Sequence, residues 1–391
     1  MGFGIILANG DSNAPLGGDF TDALIEIRVE QSLGEPTTYA IRFRDDICDN
    51  QFVMSARPEL QPDQVLSVIV QNDDSYYCLV RGPVMEAKAS YSLGGPGSFF
   101  EVHGADRRML LSYSADTARN TGSISDIADS LLSSAFSTRE VQSGLPTLGD
   151  SGGQGGSNQR GTKLDHLRSL ATDAGAYLWI TYDASSTPMD GLTIEETAHF
   201  STSPPRGFSS SGVISALGSL VPDTNLQLDG GAGSDCGPNI SSLEVNEDFK
   251  RATQANASGV DARSGETATS QAQSPDQPLD SSGTTAASLP GPQRSMPVSG
   301  AGDAEANRRR AAAALSDEGW FVKARASTSL HMLGDVVEPH KIITLAGVGP
   351  LHSMPFQISK VTHVVNANAH MMDLELRSNQ RVQRTPAGGL P

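Results

Sequence analysis

The sequence contains little cysteine, few aromatic residues and no long hydrophobic run. Its three cysteines, Cys48, Cys78 and Cys236, are odd in number and lack CxxC spacing, which argues against a disulfide framework and a cysteine zinc site. We predict buried thiols. Nowhere do about 20 apolar residues follow one another, so no transmembrane helix is predicted. The first residues, MGFGIILANGDSNAP, lack the basic region of a secretory signal, so the chain is expected to fold in the cytoplasm without stable membrane insertion.

Positive charge is also scarce. The 391 residues include 28 Lys and Arg against 45 Asp and Glu, which gives a formal net charge of −17. This balance disfavours binding to the outside of a phosphate backbone or to an anionic membrane, so DNA is expected only as passing cargo. The abundance of glycine (40) and proline (22) suits short strands joined by turns. We predict a mainly β protein of several domains.

Period-two alternation of apolar and polar residues dominates the first 115 residues. Turn residues such as Gly94-Gly95-Pro96-Gly97 interrupt it. About six strands of this length can close into a small barrel, which we predict for residues 1–115. The alternating runs are residues 23–29, 39–43, 65–70, 77–84, 87–91 and 99–104.

Helical periodicity replaces this alternation after Ser123, which is suited to an N-cap. A Gly/Ser-rich loop then leads to a second helix that ends near Gly175. The next pattern is a hairpin, formed by residues 176–182 and 191–195. We predict an α+β insert over residues 116–200, a helix-and-hairpin module beside the first barrel.

The rest of the chain is predicted to form a second barrel interrupted by a linker. Strand patterning over 201–263 begins this barrel. Residues 264–302 are almost wholly Ser, Thr, Gly, Ala, Pro, Gln and Asp, too poor in apolar groups to offset ordering entropy, which predicts a low-complexity linker or mobile loop. A short helix from about Ala304 and further strands over 303–380 complete the barrel, and 381–391 form a tail.

One motif is typical of an enzyme. Gly149-Asp150-Ser151-Gly152-Gly153 matches the nucleophile stretch of chymotrypsin-like proteases, and His103 and Asp126 precede it in the right order. The separations of 23 and 25 residues are too short to supply the strands that bring such groups together. We therefore interpret the motif as a flexible turn.

Other residues with chemical potential lack the spacing of a site. Five histidines near the C-terminus suggest a metal, but neither HxH nor HExxH occurs, and His363 is predicted to lie on the polar side of a strand. The adjacent carboxylates Asp45-Asp46 and Glu195-Glu196 face opposite sides of a strand and are expected to be solvated, as is Arg308-Arg309-Arg310. No catalytic, cofactor-binding or metal residue is predicted. The five histidines are His331, His340, His352, His363 and His370.

Four groups of segments, in a fixed order, carry a resemblance to a known family. They are Cys78–Ala87 with Phe100–Leu110, in which an aspartate follows a strand and a glycine; Thr162–Ala171 with Gly175; Asn239–Asp248 with Ser258–Asp261; and Leu333–Val337 with Phe356–His363. Their order resembles the late control protein D family of contractile-tailed phages, which includes the hub part of type VI secretion spike proteins. The match covers most of residues 20–380.

This resemblance implies two tandem small β-barrels per subunit and a homotrimeric ring with pseudo-six-fold symmetry. It implies a structural, non-enzymatic baseplate hub that joins the hexameric tail tube to the trimeric spike of a contractile phage tail or related injection system. The implied partners are a tail tube or tube-initiator protein, baseplate wedge proteins and a separate spike protein, since no spike-type domain follows residue 380. The implied location is the virion baseplate or an injection-system particle, assembled in the bacterial cytoplasm. An acidic lumen that repels passing cargo is a further hypothesis.

Two other functions stay open. A virion-associated cell-wall hydrolase or protease would use the Gly149–Gly153 loop or a carboxylate, and loss of activity in Ser151→Ala would favour it. A carbohydrate-binding receptor module would need exposed aromatic platforms, for which Trp179 and Trp320 are the only tryptophans.

Overall fold

The computed structural model describes residues 3–45, 47–48, 51–92, 97–147, 156–187, 191–202, 225–228, 237–260, 265–273, 278–280, 283–289, 293–300 and 304–382. Strands far outnumber helices in these ranges, which confirms the predicted mainly β class. The α-helices in these ranges are α1 (Gly18–Ala23), α2 (Ile124–Leu132), α3 (Lys163–Ala174), α4 (Ala304–Glu318) and α5 (Leu330–Leu333). Within the described ranges, no helix has both the length and the apolar content needed to span a membrane.

The strands fall into three stretches of the chain. The first contains β1 (Phe3–Asn9), β2 (Ala14–Pro15), β3 (Leu24–Ser32), β4 (Glu35–Arg44), β5 (Ile47–Cys48), β6 (Gln51–Phe52), β7 (Val65–Asn72), β8 (Ser75–Ser90) and β9 (Phe99–Ala105). The second contains β10 (Ala115–Thr121), β11 (Thr138–Val141), β12 (Gly156–Thr162), β13 (Tyr177–Thr187) and β14 (Gly191–Ser201). The third contains β15 (Asn225–Gln227), β16 (Ser242–Glu247), β17 (Gln254–Val260), β18 (Thr267–Gln273), β19 (Gly283–Thr285), β20 (Ser295–Ser299), β21 (Val322–Ser329), β22 (Ile342–Ala346), β23 (Pro355–Val365), β24 (His370–Ser378) and β25 (Gln380–Val382).

Eight antiparallel strands form the central sheet, in the order β8-β9-β4-β3-β23-β24-β21-β16. The N-terminal and C-terminal halves of the sheet meet at β3 and β23, where Val29 lies opposite His363. Apolar side chains from both halves form one core, from Leu7 to Leu376. The two halves are thus bound together by strand pairing and by a common core.

The two halves repeat one pattern of pairing. The first has the order β8-β9-β4-β3 and the second β23-β24-β21-β16, with β7 paired to β8 as β22 is paired to β23. Each half has a register shift at the same place, between Val84 and Glu86 in β8 and between Ile358 and Lys360 in β23. The strand pairing therefore contains an internal repeat that residue identity does not reveal. Closure of each half into a barrel stays a prediction.

The helix-and-hairpin elements form where the sequence predicts them. Ser123 and Asp126 make a capping box at the start of α2, and α3 begins at the N-cap Thr162 and ends at Gly175 in the left-handed region. Strands β13 and β14 form the predicted hairpin. Their apolar faces pack with both helices into a second core, which includes Leu167.

The prediction of a linker over residues 264–302 is wrong for the described part of that range. Strands β18 and β20 pair with β17 on its two sides, and α4, which confirms the predicted helix, packs against this small sheet. Small side chains let the layers approach closely, and the core consists of Ala255, Ala257, Ala311 and Leu315. Backbone pairing and a covering helix thus order a segment with little apolar surface of its own. Three regions for which the sequence makes predictions, residues 203–224, 148–155 and 383–391, lie outside the described residues.

Candidate functional site

A buried ion pair lies where β9 ends and the module begins. The Asp106 carboxylate accepts hydrogen bonds from the Thr37 amide and from the Arg108 amide and guanidinium, with a shortest guanidinium distance of 2.6 Å. Arg108 also donates to the Leu178 carbonyl of β13 at 2.7 Å. Both charged residues are almost fully buried. The aspartate that follows the strand and glycine in the predicted family pattern therefore joins β4 to the module hairpin.

A second network, with Arg81 and Glu196 buried at its centre, joins β8 to the module. Arg81 lies 3.2 Å from Glu196 of β14 and 3.1 Å from Asp11, and Arg107 lies 3.1 Å from the same Glu196 oxygen. Burial raises the pKa of Glu196, although the two arginines oppose the rise. The prediction that Glu195-Glu196 is solvated is therefore wrong for Glu196, because its side chain lies against Arg81 and Arg107 and not in solvent.

The other predicted carboxylate pair also has a buried member. Asp45 is almost fully buried and accepts hydrogen bonds from the Met54 and Ser55 amides at 2.7 and 3.2 Å. The loop after β4 folds back over this carboxylate, so its predicted solvation is wrong as well. Asp46 lies outside the described residues.

Two glycines allow the backbone to approach closely beside these networks. A Cβ added to Gly82 would overlap the Ala105 carbonyl oxygen, and one added to Gly104 would overlap the Pro83 carbonyl oxygen and the Tyr39 hydroxyl. The Tyr39 hydroxyl itself donates to the Gly82 carbonyl at 3.2 Å. Strands β8 and β9 therefore meet at a distance that any side chain here would prevent.

The side of the central sheet opposite the core is densely charged. Directly paired residues share one face of an antiparallel sheet, so the register identifies which side chains lie together on it. We call this surface the charged face. Its acidic residues are Glu26, Glu30, Glu35, Glu86, Glu101, Glu244, Asp373 and Glu375, and its basic residues are Arg28, Arg42, Arg44, Lys88, Lys323, Arg325, Lys360 and Arg377. Acidic and basic side chains are equal in number, so the net charge of −17 is not concentrated here.

Two rows of the charged face alternate in sign from strand to strand. One row is Lys88, Glu101, Arg42 and Glu26, and the other is Lys360, Glu375, Arg325 and Glu244. Arg42 lies 2.5 Å from Glu101. Because neighbouring strands are about 5 Å apart, opposite charges cancel within one Debye length of roughly 8 Å. A molecule that touches the charged face meets polar groups, but the electrostatic potential of the face is close to zero beyond about one Debye length.

The five candidate histidines do not form one cluster. His331 is exposed on α5, His352 lies 3.3 Å from Glu247, and His340 stacks on Trp179 with ring centroids 4.9 Å apart. His363 and His370 do meet, with ring nitrogens 2.9 Å apart. Across the ranges the structure describes, no group of three or more His, Cys, Asp or Glu side chains could hold a metal ion.

His363 is fully buried, so its predicted place on the polar side of a strand is wrong. Its second ring nitrogen lies 3.1 Å from the Gln31 amide oxygen of β3. Burial, together with the neighbouring His370, holds the pKa of His363 well below its usual range, and burial lowers the pKa of His370 to about 4. The pair is therefore neutral in the folded protein at neutral pH.

This pair predicts acid sensitivity. A histidine in the unfolded chain has a pKa near 6.5, whereas the folded protein holds His370 neutral down to about pH 4. The unfolded chain therefore binds protons first, so the folded state loses stability as the pH falls from about 6.5 toward about 4. For His370 alone the loss by pH 4.5 is roughly 2–3 kcal/mol. We expect urea unfolding at fixed protein concentration to show a smaller difference between pH 7.5 and 4.5 in His370→Gln than in the native chain. Equal differences in the two proteins would contradict this account.

The other chemical candidates have separate partners. The His103 ring lies 2.8 Å from Glu101, and the Asp126 carboxylate accepts from Ser123. Ser151 lies outside the described residues. Trp179 is buried between His199 and His340, so it presents no exposed platform for a sugar. Cys78 is buried as predicted, and burial raises the pKa of its thiol, whereas Cys236 and the Cys48 side chain are not described.

Sequence reasoning missed Arg81, Arg108 and the charged face. An arginine inside the apolar run Leu79-Val80-Arg81-Gly82 was a readable signal, because a cation in such a run needs a buried partner. The charged face had no such signal, since the partners in each row come from distant strands.

The fold matches known structures, although no family model and no curated protein matches the sequence. The 43 kDa tail protein of prophage MuSo2 from Shewanella oneidensis has a TM-score of 0.59 at 13% identity, covering 96% of this chain and 98% of that one. A tail protein from Neisseria meningitidis MC58 has a TM-score of 0.61 at 13% identity, covering 96% and 97%. The E. coli c3393 protein is a type VI secretion component with structural similarity to the T4 bacteriophage tail proteins gp27 and gp5; its TM-score is 0.50 at 11% identity, covering 90% and 73%. These likenesses confirm the predicted resemblance at the level of the fold.

Proposed function

We propose that this chain is a structural, non-enzymatic hub subunit of a phage tail or related contractile injection system. The shared fold of tail proteins supports a structural role in a tail. The observation that carries the proposal further is the central sheet, which is buried on one side and charged on the other. Its two edge strands each have an open edge in the described pairings: β8 along Met85–Ser90 and β16 along Ser242–Glu247.

A closed ring of three copies makes use of this sheet. Each copy contributes two repeats of four strands, so a trimer presents six similar units around a three-fold axis. Such a ring can face a hexameric tube on one side and a trimeric spike on the other. Head-to-tail contacts close when the rotation between copies fits. A closed barrel already holds an aqueous channel at about 16 strands, so three such sheets leave room for passing cargo.

The charged face would line this channel. Its equal numbers of acidic and basic residues do not support the acidic lumen expected from the net charge. The alternating rows would give a wall without an extended field of one sign, to which neither DNA nor a charged protein adheres strongly. Cargo would pass because opposite charges on the wall cancel locally. The acidic-lumen hypothesis, by contrast, depends on repulsion between the wall and the cargo.

Mass measurement tests the proposal. We expect the purified chain to have three times its 41.0 kDa monomer mass, at least in the presence of its spike protein, and to bind tube protein as that trimer. Light scattering coupled to size exclusion, alone and in mixtures with tube and spike proteins, would measure both. A strict monomer that binds neither protein would refute the hub function.

A further inference from the structure

The internal repeat determines which surfaces two copies would join, an inference that rests on the hub function proposed above. We propose that the C-terminal part of β8 in one copy pairs antiparallel with β16 of the next, with Ala89 opposite Val245. Within one chain, β3 of the first repeat already pairs with β23 of the second. In the repeat, β16 corresponds to β3 and β8 corresponds to β23. The proposed joint is therefore the same contact, made between copies.

The register follows from the repeat. Aligning the shifts at Val84/Glu86 and Ile358/Lys360 makes Ala89 equivalent to His363. Following the pairs through β4 and β21 makes Val245 equivalent to Val29. Since Val29 and His363 are opposite each other in the chain, Val245 and Ala89 become opposite each other between copies. Strand direction agrees, because seven antiparallel steps separate β8 from β16.

Burial supports this joint independently. Val361 and His363 are fully buried because β3 covers the edge of β23. Their equivalents Ala87 and Ala89 are exposed, although they lie on the side of the sheet that faces the core. The C-terminal part of β8 has two exposed faces and one unpaired edge, and an unpaired edge can form hydrogen bonds with a strand of another chain. Adding a strand there would cover both alanines as β3 covers their equivalents.

The two edges complement each other in chemistry at two places, although the register also sets Glu86 opposite Asp248. The proposed register places Met85 opposite Phe249, and these side chains are 45% and 55% exposed in the single chain. It also places Lys88 diagonally across from Glu244, which continues the alternation of the charged rows. The joint within the chain has a diagonal pair of the same kind, since Lys360 lies 2.8 Å from Glu30. The occupant of each edge is thus a second copy of this chain.

Cysteine cross-linking tests the register. Paired residues of antiparallel strands have Cα atoms about 4.5–5.5 Å apart, within the range of a disulfide. In a full chain with Cys48→Ser and Cys236→Ser, we expect Ala89→Cys with Val245→Cys to give two-chain and three-chain species under oxidising conditions. The matched control, Lys88→Cys with Val245→Cys, places the thiols on opposite sides of the sheet and should remain a single chain.

A charge exchange provides a second readout that does not depend on disulfide geometry. Lys88→Glu should raise the dissociation constant of the trimer by up to about fivefold per joint, and adding Glu244→Lys to the same chain should reverse the effect. The control Arg308→Glu, on the exposed face of α4, should leave assembly unchanged. A trimer by mass without cross-links and without an effect of the exchange would overturn the joint but leave the hub function standing. A monomer that shows neither result, even with spike protein, would overturn both.

Discussion

Asp106→Asn is expected to lower the free energy of unfolding by about 3–5 kcal/mol, because it leaves the buried Arg108 guanidinium without its counterion. The substitution keeps the shape of the side chain, so the loss reports on charge and hydrogen bonding more than on packing. Asp106 is fully buried and accepts from three donor groups, which solvent cannot replace. Urea unfolding at pH 7.5 and fixed protein concentration would measure the change.

Asp129→Asn is the matched control. Asp129 pairs with Arg139 at 2.8 Å, but its side chain is 50% exposed. Exposed pairs contribute about 0–1 kcal/mol, so this variant should unfold close to the native midpoint. Similar losses in the two variants would show that the buried network at the module junction does not stabilise the fold as described.

Gly82→Ala is expected to cost at least about 4 kcal/mol or to prevent folding, because the new Cβ has no space. The atoms in its way are backbone atoms of Ala105 and Asp106, which cannot rotate aside as a side chain could. Relief requires β8 to move away from the end of β9, which would also disturb the Asp106–Arg108 pair. Soluble yield and the thermal unfolding midpoint would measure the effect.

Gly18→Ala controls for the glycine substitution itself. Gly18 begins α1, where an added Cβ meets nothing within 4 Å and the backbone is not in the left-handed region. Alanine there should be neutral or stabilise the fold by up to about 1 kcal/mol. Equal stability of Gly82→Ala and Gly18→Ala would contradict the close approach of the β8 backbone to the end of β9.

Local rules predicted most of the elements. The predicted N-cap at Ser123 and the predicted helix end near Gly175 were correct, because capping depends on residues within one turn. The hairpin of β13 and β14 was equally local. The segment at 264–302 was misjudged because its strands gain their stability from α4 and from backbone pairing, neither of which the composition of the segment expresses.

The candidate site was less predictable. Alternation shows that a strand has two faces, but not which face the rest of the chain will cover. The sequence predicted His363 on the polar side of a strand, whereas β3, more than 300 residues earlier in the chain, supplies Gln31 as its buried partner. The same reason explains the error for Glu196, whose partners Arg81 and Arg107 come from a different part of the chain.

The sequence by itself determined the mainly β class, the presence of two helices in the module and the resemblance in segment order, because each depends on periodicity and caps within short windows. The tertiary structure alone decided that the two halves join at β3 and β23, and that eight acidic and eight basic residues share one face. Those features arise from pairing between strands far apart in the chain, whose register is determined by the whole sheet and by no single strand.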